Sequence, residues 1–362
     1  MVAQNLPVLE EKTEISTASD KNFIYLNLAS ILASGYYPHP GILAAAVPPS
    51  TPELDEARRR LEAWRLVERT EDSSVIHPRF NPTSSLDQAI STYVTMESNI
   101  HSLILLGLVK PEMPPRVQRV LVDIAALVSQ GLTSFFNLST TGGQRDHRMT
   151  VQSLGETAGF ARKHCHKGLL WQALAYLHSF SKTTLRGESG RVQPPNKVLD
   201  EAVRYYELKE VIKRAGYMSS LLKIPFAHEA HLLSDEEFPK VEELVAAAFA
   251  FNFMRVAVEQ VGYFARDITS DVVLEKEADG EAVDWDVLKK EAKDGGDLQV
   301  MAMYTDLWMD VVEDDLKVYR AIGTTAISNS AFCNGFMDLG IEHYGSLLPP
   351  VRPDCRSLVP RG

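Results

Sequence analysis

Residues Leu298–Ile322 read L-Q-V-M-A-M-Y-T-D-L-W-M-D-V-V-E-D-D-L-K-V-Y-R-A-I. Met301, Tyr304, Leu307, Trp308, Val311, Val312, Leu316 and Tyr319 recur mostly at intervals of three and four, and the spacing predicts one long amphipathic helix with these side chains inward. Asp310, Glu313, Asp314 and Asp315 then fall on its solvated side. Their Asp-x-x-x-Asp-Asp order differs from the Asp-Asp-x-x-Asp of magnesium-binding terpene cyclases.

The same period recurs upstream. Helices are expected over Asp20–Ser34, Thr51–Glu68, Ser84–Leu108, Arg116–Phe136, Met149–Phe180, Asn196–Ala215 with a short piece to Lys223, Glu236–Val261 and Ser328–His343. Thr51-Pro52-Glu53 is a helix start, and Ser234-x-x-Glu237 is a capping-box pattern. Alternating strand patterns are not evident, so the expected class is all-α, a multi-helix bundle. Residues 271–297 hold ten acids against four lysines and read as a solvated, mobile insertion. The expected organisation is an N-terminal arm with helices packed on the core over 1–82, a main helical domain over 83–348 and a tail over 349–362. Ser357-Leu-Val-Pro-Arg-Gly362 resembles a thrombin-site remnant of an expression vector.

The 362 residues carry 45% hydrophobic and 23% charged side chains and a net charge of −11. Ordinary composition at this length allows a large core. The acidic balance disfavours nucleic acid and anionic membrane surfaces as partners. No apolar run reaches spanning length, no signal-peptide pattern opens the chain, and Cys165, Cys333 and Cys355 are few and odd in number. These features predict a cytoplasmic protein.

Chemistry-bearing residues concentrate at Thr150–Lys167, where His164, Cys165 and His166 stand together before Gly168. On a helix the two histidines point about 200° apart, so one helix does not chelate a metal through both. The alternative use is a thiolate. Flanking imidazolium and lysine charges from Lys163 and Lys167 lower a cysteine pKa, while apolar burial raises it. In the catalytic reading, Cys165 is the nucleophile or redox thiol, His164 or His166 the acid/base, and Glu156, two turns before His164, the orienting group. The plainer reading is a core cysteine beside two solvated histidines. Arg145, His147 and Arg148 follow a Gly-Gly turn, and they suit an acidic substrate group or simply form a charged loop. His228-x-x-His231 lacks zinc-protease spacing. Glu97 and His101 are i,i+4 without the further Glu-x-x-His pairs of a carboxylate-bundle metal site.

The stretch from Leu233-Ser-Asp-Glu-Glu-Phe238 through Val241 to Ala-Phe-Asn252-Phe-Met-Arg255-Val-Ala-Val-Glu-Gln-Val-Gly262 resembles the closing helix of the alkylhydroperoxidase D-like, carboxymuconolactone decarboxylase superfamily. The resemblance covers about 150–265. Redox members place a Cys-x-x-Cys and a histidine some eighty residues upstream of that helix, and Cys165 lies 87 residues before Asn252. The resemblance implies an alkylhydroperoxidase D-like core with extra N- and C-terminal helices, and it implies Asn252 and Arg255 as substrate-binding residues. Positions 162 and 168 are Arg162 and Gly168, so the resolving cysteine of two-thiol peroxide chemistry is missing. The expected function is a small-molecule oxidoreductase or tailoring enzyme with a degenerate site, working on a small and acidic substrate as a homo-oligomer. The alternatives are a non-catalytic helical ligand-binding or interaction protein, and a haem- or metal-dependent oxygenase. No motif names a cofactor.

Overall fold

A computed structural model describes residues 60–70, 79–82, 99–136, 160–184, 205–224, 233–258, 265–267, 273–275, 282–312 and 316–338. Among these, helix predominates, as the spacing implies. Helix α1 spans Ile100–Leu108, α2 Pro115–Gln130, α3 Leu132–Phe135, α4 Phe160–His164, α5 Leu169–Thr184, α6 Tyr205–Leu221, α7 Phe238–Ala248, α8 Trp285–Asp294 and α9 Asn329–Asp338; Cys165–Lys167 is a 3-10 turn.

Local chemistry explains these bounds. Pro115 opens α2, where a missing N–H costs nothing. Gly131, at φ 90°, closes it and donates to Leu127 and Val128. The expected stripe Val117, Val120, Leu121, Ile124, Leu127 and Val128 is buried. Ahead of α7 the capping box forms in both directions, Glu237 N–H to Ser234 Oγ at 3.2 Å and Ser234 N–H to Glu237 Oε2 at 2.9 Å.

The all-α expectation needs correction, because a seven-stranded sheet accompanies the helices. Its strands are β3 (Phe253–Ala257), β4 (Ala265–Asp267), β5 (Val273–Glu275), β6 (Gln299–Met303), β7 (Asp306–Val312), β8 (Leu316–Ile322) and β9 (Thr325–Ile327), in the order β7-β8-β5-β4-β3-β6-β9. All neighbours are antiparallel except β5 and β8. The expected helix over 298–322 is therefore three strands, and Asp310 lies on β7 and not on a helix face. The expected helix over 236–261 stops at Ala248, turns at Phe249–Asn252 and continues as β3. Near the N-terminal side, β1 (Val67–Thr70) pairs with β2 (Arg79–Pro82), where a helix end and a loop were expected. Within 271–297, β5 and α8 are regular, and Ala282, Val283, Trp285 and Leu288 are buried, so this part is not a wholly solvated insertion. Helices expected before residue 60 lie outside the described residues.

The pleat explains how the sheet divides the core. Phe253, Met301, Met303 and Ile327 face the main core of α1, α2, α5, α6 and α7. Met254, Val256, Val300, Ala302, Tyr304 and Ala326 face a smaller core, which α8 covers with Trp285 and Leu288. Inside the helical part a buried ionic chain links three helices. Arg119 donates to Asp123 and, at 3.1 Å, to Ser219 of α6, while His178 of α5 lies 3.2 Å from Asp123 Oδ2. Removing one member leaves the others buried and uncompensated, which is far more costly than the pair is stabilising.

Candidate functional site

The turn Cys165–Lys167 joins α4 to α5, and it sits where helices and sheet meet. Gly168 bridges to Thr325 of β9, and Leu169 N–H donates to Thr324 O at 3.1 Å. Leu170 N–H donates to Thr325 Oγ1 at 3.0 Å, and Trp171 Nε1 to Ala326 O at 3.2 Å. The first amides of α5 are thus satisfied by β9. On the other side, Asp284 N–H donates to His166 O at 2.9 Å. Gln172 Nε2 reaches Cys165 O at 2.9 Å and Ala282 O at 2.7 Å.

A buried ion pair completes the anchoring. Lys167 Nζ is 2.8 Å from Glu242 Oε1 of α7 and 4.9 Å from the centre of the Phe238 ring. Ser328 Oγ donates to the other Glu242 oxygen at 2.8 Å. Both oxygens of this 2% exposed carboxylate are therefore engaged.

The side chains of the turn have distinct environments. His164 stacks on Phe238, with ring centres 3.7 Å apart and planes 16° from parallel. Burial, and then the charges of Lys167, His166 and Lys163, lowers its pKa from 6.5 to about 4. His166 is lowered too, first by burial, with the charge of Glu291 opposing. Both imidazoles are thus neutral at pH 7. His164 Nδ1 is enclosed and has no hydrogen-bond partner, while His166 Nε2 faces Glu291 Oε1 at 3.6 Å. Cys165 is 3% exposed, and burial pushes its thiol up to about 11. The flanking cations do not produce the activated thiolate that the sequence suggested, because both imidazoles are uncharged and desolvation dominates.

A measurable consequence follows for the thiol. Raising the pKa from 9.0 to about 11 cuts the thiolate fraction at neutral pH by about 100-fold. In peptide-resolved alkylation of the folded protein at pH 7, Cys165 should lag a free thiol by at least that factor and react at an ordinary rate in urea. Rapid labelling of Cys165 in the folded state would restore the thiolate reading. Cys333, only partly buried, should label first of the two.

The structure keeps His164, Cys165 and His166 together, but Asn252 and Arg255 make other contacts. Asn252 Nδ2 lies 3.1 Å from His101 Nε2, and Arg255 sits on β3 opposite Arg266 and Met301. Glu156, Arg145, His147, Arg148, His228, His231 and Glu97 lie outside the described residues. Phe238, Glu242, Gln172 and Glu291 were not anticipated as neighbours of the turn. Only Glu242 left a trace in the sequence, as an acid on the apolar face of an otherwise well-patterned helix. Among the described residues, no group of three or more His, Cys, Asp or Glu side chains has metal-holding geometry, and no helix is long and apolar enough to cross a membrane.

No protein-family model matches the chain, and no curated protein matches it in sequence.

Proposed function

We propose that the chain is a small-molecule tailoring enzyme whose acid–base groups are the neutral imidazoles of His164 and His166. Cys165 is a silent packing residue in this reading. The observation that carries it is the enclosed, unpartnered Nδ1 of His164, on a ring held by Phe238 in a turn anchored from several sides. A buried polar atom without a partner is costly, and this one is free to exchange a hydrogen bond with a ligand group. A neutral imidazole held rigidly offers a base or a hydrogen-bond donor without reorganisation. The alkylhydroperoxidase D-like resemblance belongs to this proposal as lineage only, since a lone thiol near 11 does not support two-thiol peroxide chemistry.

Buried Cys165 also favours a second reading, a non-catalytic ligand-binding protein on the same framework. One screen separates the two. Small carboxylic acids, phenols and quinones are tested on the full chain for thermal stabilisation and for turnover, alongside His164→Gln and Cys165→Ser. The enzyme reading expects turnover of a stabilising compound, reduced at least tenfold in His164→Gln and unchanged in Cys165→Ser. Stabilisation without turnover supports the binding protein. Turnover lost in Cys165→Ser but kept in His164→Gln refutes the imidazole assignment.

A further inference from the structure

We infer, resting on the His164 reading above, that the molecule taken by this site is a small carboxylic acid, that Lys163 binds its carboxylate, and that Asp235 is the group it displaces. Lys163 Nζ lies 2.6 and 2.7 Å from the two Asp235 oxygens. Both side chains are exposed, Lys163 by 54% and Asp235 by 76%. Water competes for both charges of such a pair, so it adds little to stability and another carboxylate exchanges into it at little cost. The second lysine of the turn differs. Lys167 is bound to the buried Glu242, whose other oxygen Ser328 engages, and parting that pair would strand a buried charge. Lys163 is therefore the ammonium beside His164 that can change partners.

One short segment brings the pair to the imidazole. Ser234 and Glu237 close the capping box of α7, Asp235 lies within it, and Phe238 is the first residue of the helix. Phe238 stacks on His164, so the same segment sets Asp235 beside the end of α4, where Lys163 and His164 are consecutive. The charges record this closeness. After burial, which dominates, the His164 pKa is lowered by Lys163 among other cations and raised by Asp235. The Asp235 carboxyl is held below its usual range by Lys163 first and by His164 as well. A carboxylate thus already sits on an ammonium next to a neutral imidazole, the arrangement that a bound acid would make. Exchange of one carboxylate for another leaves the charge at the site unchanged. Lys163 then determines specificity for the acid group, while His164, whose Nδ1 has no hydrogen-bond partner, keeps the acid–base role.

The test reads binding and needs no turnover. Acetate and benzoate, with acetamide and benzamide as uncharged counterparts, are titrated into the full chain while the ring nitrogen resonances of His164 are followed. Removing the competing carboxylate should tighten binding, and removing the ammonium should weaken it. The expected order of carboxylate affinity is therefore Asp235→Asn, then wild type, then Lys163→Gln, with steps of roughly threefold, the scale of an exchanged surface ion pair. The two amides should not distinguish the three proteins. Both positions are exposed, so neither substitution disturbs the core. Equal carboxylate affinity in all three proteins overturns the inference. So does weakening in both variants, which would make the pair a structural clasp, and so do carboxylates that leave the His164 resonances of the wild-type protein unmoved. If the order fails while His164→Gln still abolishes turnover, the imidazole role stands and the acid class falls. If the order holds without turnover of any compound, the carboxylate site stands and the enzyme reading falls.

Discussion

Gly168→Ala should destabilise the protein by roughly 3–5 kcal/mol, through strain and overpacking together. Gly168 has φ 126° and ψ −171°, a region that only glycine occupies readily. A Cβ there would stand 2.5 Å from Thr324 O and 2.8 Å from Thr325 Cα. Neither can yield, since both belong to the backbone that receives the first amides of α5. Gly296→Ala is the internal control. Its φ is also positive, at 82°, but nothing lies within 4 Å of the added carbon. It should cost about 1 kcal/mol from backbone strain alone. Urea unfolding of both variants gives the comparison. Equal losses would show that the close approach of the turn to β9 is not maintained in solution. A destabilised Gly168→Ala protein should also label faster at Cys165, because the same bridge keeps that thiol enclosed.

The helices of the main core were legible because their large apolar residues keep a helical period between clear start and stop signals, although α1 and α2 are buried on more than one face. In α2, arginine, glutamine and apolar residues alternate at helical intervals, and Pro115 and Gly131 mark its ends. The sheet was not legible, for a physical reason. Strands β3 and β6 are buried on both faces, Met301 and Met303 toward one core and Val300, Ala302 and Tyr304 toward the other. Such strands lose the polar–apolar alternation that identifies a strand, and a continuous apolar run fits either period. The enrichment in Val, Ile, Tyr and Trp between residues 298 and 322 was the surviving signal, and it points to strand. The helix preceding β3 misled in the same way. Its Ala-rich run extends into Phe-Asn-Phe-Met-Arg-Val without a proline or glycine, so nothing local marks the turn at Phe249–Asn252.

The site was half legible. Three reactive side chains in a row drew attention to the turn between α4 and α5, and Gly168 marked its end. Their protonation states were not readable, because they depend on burial in the fold and on the charges of Asp235 and Glu291, which are far away in sequence. Charge counting along the chain set Lys163 and Lys167 beside Cys165. In the fold those lysines are paired with Asp235 and Glu242, and burial decides the thiol instead.

His101 should make the protein lose about 3 kcal/mol of stability between pH 6.5 and pH 4, at about 1.4 kcal/mol per pKa unit. Its ring is enclosed in α1, stacked on Phe249 at 4.3 Å and edge-on to Trp64 at 5.9 Å. Nδ1 lies 2.8 Å from Ala248 O, which only accepts, so the proton is assigned to Nδ1. Nε2 then accepts from the Asn252 amide. Burial lowers the pKa from 6.5 to about 4; the Ala248 bond opposes this and the charge of Arg60 adds to it. Above pH 6.5 neither the folded nor the unfolded chain protonates this ring, and the full contribution to stability is present. As pH falls below 6.5 the unfolded chain takes up a proton and the folded chain does not, so unfolding is favoured. The loss is complete near pH 4, where the folded ring also titrates. Carboxylates titrate over part of the same window, so the informative quantity is the difference between wild type and His101→Gln. Urea unfolding at pH 7, 6, 5 and 4 should show the variant less stable at pH 7 but closer to wild type, or equal to it, at pH 4. Parallel stability curves at every pH would mean that His101 titrates normally in the folded state, and that the turn from α7 to β3 is open to water.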